Sequence, residues 1–217
     1  MCWDARNFGN TPGVSGNFRT GQSKKQNMNK NFFFLCGAHT CGKTSILSYL
    51  EEKRLIDFNG YEIGKQLFYE RKFLTGEQGP DFEQEVTSLE ICRDNNIFNN
   101  NFMVSAVETW HVGNLAYALV RNRQCVDTLI EQIKKTPFFN SAYGFWLQVS
   151  KENIIKRTQT FKSNSNWAAD FYMKVNDEIK NAIRILKLEN RVEIINANDD
   201  LNIVKQNIEK RIINHLI

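Results

Sequence analysis

The chain is 217 residues long, 41% hydrophobic and 24% charged, with a formal net charge of +4. That length admits one α/β domain with or without a tail, and that balance belongs to a folded globular protein rather than a fibrous or disordered one. The charge suits an anionic ligand but gives no strong nucleic-acid signal, and no apolar run approaches a membrane span.

Residues 1–30 are polar, glycine-scattered and poor in aliphatics, with Arg19, Lys24 and Lys25 as their basic positions. They read as a disordered N-terminal arm without an assigned task, ahead of a domain over 31–217. Met1-Cys2-Trp3-Asp4-Ala5-Arg6 lacks the apolar core of a signal peptide. Five cysteines (Cys2, Cys36, Cys41, Cys92 and Cys125) form no C-x-x-C pair and no Cys/His cluster, so reduced thiols and a cytoplasmic location are expected.

From Asn31 onward strands and helices alternate. Phe32–Cys36 reads as a strand buried on both faces, and Ser45–Leu50 carries helical spacing. Leu55–Phe58 reads as a short second strand closed by an Asn59-Gly60 turn, which leaves Asp57 at its end. Helical spacing follows over 61–74 and 81–94. Phe102–Val107 is the third strand, ending on Glu108; 113–120 and 126–135 are helical, with Pro137 closing the second. Phe145–Val149 is the fourth strand, followed by a basic interval. Trp167, Phe171, Val175, Ile179, Ile183 and Leu186 stripe a long helix, and Val192–Asn196 is the fifth strand. Asp199 or Asp200 caps a last helix with Leu201, Val204, Ile208 and Ile212 as its buried stripe. This alternation implies a parallel sheet covered on both faces.

Between the first strand and first helix lies Gly37-Ala38-His39-Thr40-Cys41-Gly42-Lys43-Thr44, which fills the phosphate-loop template G-x-x-x-x-G-K-[ST]. Its glycines let the backbone wrap with N–H groups inward, and the helix end adds partial positive charge. Residues Gly37 to Ser45 are the expected nucleotide contacts. Lys43 would reach the β- and γ-phosphates and Thr44 would hold Mg²⁺, which makes ATP and Mg²⁺ the expected cofactors. His39 sits at an unconstrained loop position and is assigned no catalysis.

In an open parallel sheet the ligand binds beyond the carboxyl ends of the strands. Besides the loop, the candidates there are Asp57, Glu108, Ser150/Lys151 and Asn196–Asn198. Glu108 is the strongest, because a carboxylate there can orient Mg²⁺ through its water shell or accept a proton from an attacking hydroxyl.

The stretch Val107-Glu108-Thr109-Trp110-His111-Val112-Gly113-Asn114-Leu115-Ala116-Tyr117 resembles the acid–arginine segment of thymidylate kinases and deoxynucleoside kinases. Aligned on Ala116-Tyr117, Glu108 falls on the family's acid and Trp110 on its aromatic residue, while Thr109 stands where the family has arginine. The Glu-Pro signature near the second strand is not evident. The resemblance implies a three-layer P-loop fold whose five parallel strands run in the order 2-3-1-4-5. It also implies phosphoryl transfer to a small-molecule acceptor, a nucleoside or nucleoside monophosphate, and a basic lid after the fourth strand. Lys151, Lys156, Arg157 and Lys162 occupy that interval, with Arg157 as the expected catalytic cation because guanidinium grips phosphate bidentately.

Arg93-Asp94, Arg121 and Arg123 are secondary candidates for acceptor recognition, and solvated or ion-paired roles compete with that. His111 could touch an acceptor or pack beside Trp110. Phe68, Tyr69, Phe73 and Trp110 could stack on a base or fill the core. An NTP-hydrolysing ATPase and a nucleotide sensor remain alternatives to a kinase. A GTPase is disfavoured, since no Asn-Lys-x-Asp follows a later strand. An apolar helix face could serve as core or as a homodimer interface.

Overall fold

The computed structural model describes residues 30–71, 78–158 and 165–217. The expected N-terminal arm, Phe73 and Lys162 lie outside them. Five strands form one sheet in the order β2-β3-β1-β4-β5, with every neighbouring pair parallel. They are β1 (Asn31–Gly37), β2 (Phe58–Gly60), β3 (Val104–Glu108), β4 (Tyr143–Gln148) and β5 (Val192–Asn196).

β1 is central because its side chains satisfy both faces at once. Phe32, Phe34 and Cys36 join one apolar cluster with helices α4 (Trp110–Arg121), α5 (Val126–Ile133) and α7 (Ser165–Ile185). Phe33 and Leu35 join the opposite cluster with α1 (Lys43–Glu52) and α8 (Leu201–Leu216). Each buried Phe or Leu contributes about 1.5–3 kcal/mol of transfer free energy, so this strand has no solvent-facing alternative. The remaining helices are α2 (Ile63–Glu70), α3 (Pro80–Asn99) and α6 (Lys151–Thr158).

Three sequence expectations are corrected. The second strand is Phe58–Gly60, so Asp57 lies at its amino end and not among the ligand-facing ends. Its carboxylate accepts from the Met103 and Val104 N–H groups at 2.9 and 3.1 Å, closing the start of β3. The chain leaves β2 through Tyr61 and Glu62 instead. In α7, Val175, Ile179, Ile183 and Leu186 are buried, but Trp167 is 49% exposed and Phe171 half-buried. In α8, Val204, Ile208 and Ile212 are buried, whereas Leu201 is 38% exposed, its Cδ1 3.1 Å from where a Cβ on Gly42 would stand. Asp200 is the α8 cap, accepting from Asn202 N at 2.8 Å.

Candidate functional site

The phosphate loop takes its shape from backbone angles that favour glycine. Gly37 has φ 151°, and a Cβ there would stand 2.7 Å from both Cys41 Sγ and the Leu147 carbonyl. Gly42, φ 104°, caps α1 in the left-handed region. Ala38 and Cys41 pack into the core below, while His39, Thr40, Gly42, Lys43, Thr44 and Ser45 line a pocket of about 250 Å³. Lys43 is buried and bends across its own loop, donating to the Gly37 and Ala38 carbonyls at 3.1 and 3.2 Å.

Glu108 enters the same pocket from the end of β3, its side chain hydrogen-bonded to Thr44. It is buried, and burial raises its pKa above the usual carboxylate value against the opposing charge of Lys43. The backbone then turns sharply. Thr109 (φ 64°) and Trp110 (φ 48°) both occupy the left-handed region, and strain of about 1–3 kcal/mol at each needs strong anchoring. Trp110 provides it. Its ring packs 4.6 Å from Phe34, and its Nε1 donates to Asp94 at 2.8 Å. Thr109 N donates to Leu35 O at 2.7 Å. The Thr109 side chain lies against Gly113, 2.3 Å from where a Cβ would stand, and is buried away from the phosphate pocket.

A second, larger cleft of about 460 Å³ adjoins the first. Phe68, Tyr69 and Phe82 supply aromatic rings from α2 and α3, Tyr117 from α4, and Trp167, Phe171 and Tyr172 from α7. Trp167 and Phe171 stack at 5.8 Å with planes 9° apart. Gln78, Asn114 and Arg121 add polar groups. Arg121 lies 4.8 Å over the Tyr117 ring and is already engaged: it ion-pairs with Glu83 at 2.8 Å and donates to Gln78 Oε1 at 2.9 Å. His39, Glu62 and Lys65 line both cavities and form their common wall. His39 stacks on Tyr172 at 5.0 Å, and burial with the nearby Lys43 charge lowers its pKa to about 4, so its ring is neutral at pH 7.

The fold as a whole matches known structures. A deoxyadenosine kinase from M. mycoides with bound dATP aligns with a TM-score of 0.63 at 11% identity, over 83% of this chain and 98% of that one. The same enzyme with the products dCMP and dCDP aligns with a TM-score of 0.60 at 10% identity, over 83% and 97%. The chain has a P-loop nucleoside-kinase-like fold. NadR in complex with NAD and AMP-PNP aligns with a TM-score of 0.62 at 12% identity, over 84% of this chain and 49% of NadR. No protein-family model matches the chain, and no curated protein matches its sequence.

Within this kinase-like fold the candidates separate. Lys43, Thr44 and Glu108 converge on one pocket. Arg157 does not line either cavity: its guanidinium donates to Thr40 O at 3.2 Å and Ala197 O at 2.9 Å, bracing the phosphate loop against the segment after β5. Asn198 serves that segment as well, accepting from Ser150 N at 2.8 Å. Lys151 pairs with Asp170 at the surface. Arg93 and His111 belong to a buried ionic cluster, with His111 between Glu90 (3.1 Å) and Asp94 (3.2 Å) and Arg93 3.2 Å from Asp94. Arg123 pairs with Glu178 at the surface. Of the aromatic candidates, Phe68 and Tyr69 reach the cleft and Trp110 is core. Glu62 and Lys65 were missed, because a strand ended two residues too early hides Glu62 inside a helical segment. The Asn59-Gly60 pair, read as the end of the strand, would have exposed it.

Thr44 and Glu108 suit a magnesium ion shared with a nucleotide. Among the described residues no group of three or more His, Cys, Asp or Glu could cage a metal alone. An ion held by one or two protein oxygens, substrate phosphates and water is the usual Mg²⁺ arrangement.

Proposed function

We propose that the chain transfers the γ-phosphoryl group of ATP to a hydroxyl of a nucleoside held in the aromatic cleft. One observation carries this reading: the phosphate pocket and the aromatic cleft share His39, Glu62 and Lys65, so donor and acceptor would meet at that wall. Backbone N–H groups of the loop and Lys43 would hold the β- and γ-phosphates, with Lys43 exchanging its two carbonyl partners for phosphate oxygens. Thr44 and Glu108 would hold Mg²⁺, which would supply charge neutralisation at the phosphates.

The acceptor's base would lie between the Phe68–Phe82 and Tyr117–Phe171 walls, and Gln78 and Asn114 would read its edge. Glu62 faces both cavities and would take the proton of the attacking hydroxyl. As the acceptor oxygen bonds to the γ-phosphorus, the bond to the β,γ-bridging oxygen breaks and ADP leaves with that electron pair. A nucleoside is favoured over a nucleoside monophosphate by the state of Arg121. The cleft's arginine is neutralised by Glu83, and its other cation, Lys65, is matched by Glu62 in the same lining, which leaves no net positive charge to balance an acceptor phosphate.

ATP consumption measured against a panel of nucleosides and nucleoside monophosphates, with water alone as control, tests this. The expected result is strong acceleration by one class of nucleoside and little by the monophosphates. Steady hydrolysis that no acceptor changes would replace the kinase reading with an ATPase in which Glu108 positions water.

A further inference from the structure

The wall between the two cavities is where the phosphoryl group in flight would need a cation. Charge spreads over its three equatorial oxygens as one P–O bond breaks and the other forms, and catalysis there rests on positioning and electrostatic stabilisation. One carboxylate, Glu62, stands in this wall and a second, Glu108, lines the phosphate pocket beside it; by themselves both repel the group they serve.

The cations nearby are nearly all committed. Lys43 belongs to the loop on the donor side and reaches the Gly37 and Ala38 carbonyls. Arg157 braces the Thr40 and Ala197 carbonyls, and Arg121 is held by Glu83 and Gln78. The position directly after Glu108, at the mouth of the sheet, is Thr109, turned down onto Gly113. Lys65 differs from all of these. It projects from the first turn of α2 into both cavities, it is exposed, and among the described residues it forms no hydrogen bond or ion pair. Its charge reaches Glu108 and His39.

We propose that Lys65 is the cation that holds the transferred phosphoryl group between donor and acceptor. This rests on the kinase reading for its catalytic meaning, but the contact itself, to the γ-phosphate, does not. A long flexible stem from a short helix suits it, since an ammonium can follow the phosphorus as it moves across the wall.

The test uses the full chain and two probes that differ by one phosphate, Mg·ATP and Mg·ADP, titrated calorimetrically into wild type, Lys65→Ala and Lys65→Arg. Because Lys65 is exposed, both variants should fold, which circular dichroism checks. Lys65→Ala should weaken ATP binding about tenfold and leave ADP within about twofold, and Lys65→Arg should recover most of the loss. With the acceptor found by the panel, Lys65→Ala should lower kcat about a hundredfold or more while acceptor KM changes little. Equal losses for ATP and ADP, or unchanged ATP affinity, would overturn the proposal. If wild type transfers phosphate to no acceptor, the kinase reading fails, and the ATP-against-ADP comparison still decides the contact.

Discussion

Lys43 is tied to two carbonyls of its own loop and must release them to meet a phosphate. Lys43→Ala should therefore abolish turnover while circular dichroism shows a retained fold, because the loop shape rests on Gly37, Gly42 and the packed Ala38 and Cys41. The two carboxylates should separate by their surroundings. Glu62→Gln should lower turnover about a hundredfold at any magnesium concentration, the usual range for losing a general base. Glu108→Gln should lower it by about as much at limiting magnesium and be partly rescued by excess ion, since its partner is Thr44. Steady-state kinetics across a magnesium series distinguishes the two. That Lys43, Thr44 and Glu108 would line one pocket was legible, because a motif and a strand end mark them. Glu62 and Lys65 were not, because no local pattern says that a loop residue and a helix's first turn will share a wall with that loop.

The junction of β3 and α4 is the element on which Glu108 depends. Its two left-handed residues are pinned through Trp110 to Asp94, and Asp94 in turn belongs to the cluster with His111, Glu90 and Arg93. Burial works against a charge on His111, but hydrogen bonds to Asp94 and Glu90 and their charges outweigh it and raise the pKa to about 9, from an ordinary 6.5. The folded state then binds this proton more tightly than the unfolded chain does. The stabilisation is fully present below pH 6.5 and is lost as the pH climbs through about 9. Denaturant unfolding should therefore show stability falling between pH 7 and 8.5, and His111→Gln should flatten that slope. Buried Cys36 and Cys41, whose thiols burial also pushes up, add to the decline near and above their unfolded value of 9.0. His39 works in the opposite sense. With its pKa at about 4, its contribution is present above pH 6.5 and is lost as the pH falls through 4.

Across the whole molecule, the phosphate-loop pocket and the aromatic cleft are built from different parts of the chain. β1, α1 and the end of β3 make the phosphate pocket, while α2, α3, α4 and α7 bring the rings of the cleft together. Changes at the far wall should thus affect one substrate only. Trp167→Ala should raise acceptor KM about tenfold with ATP affinity unchanged, the loss expected of one stacking ring. Acceptor titration followed by tryptophan fluorescence, beside calorimetry with ATP, reads the two effects separately. Parallel loss of both affinities would mean that α7 supports the phosphate loop as well as the acceptor, through the His39–Tyr172 stack.

Local pattern determined the elements, the parallel sheet and the phosphate loop. An unbroken apolar run such as Phe32–Cys36 has to be covered on both faces, and Gly37 and Gly42 are spaced for backbone angles and approaches that side chains do not allow. These are properties of neighbours along the chain. The sheet order was implied by likeness to known kinases and is what the structure shows. Tertiary structure alone decided which charges are spent and which face the site. Arg157 is drawn onto two carbonyls and Arg121 onto Glu83, whereas Lys65 is left facing both cavities. The stripe of α7 shows the same division. Its period marks one helix face from Trp167 to Leu186, but the core lies under only part of that face, and the first turns line the cleft instead. A charge or a ring takes its role from the groups packed against it, and those come from distant parts of the chain.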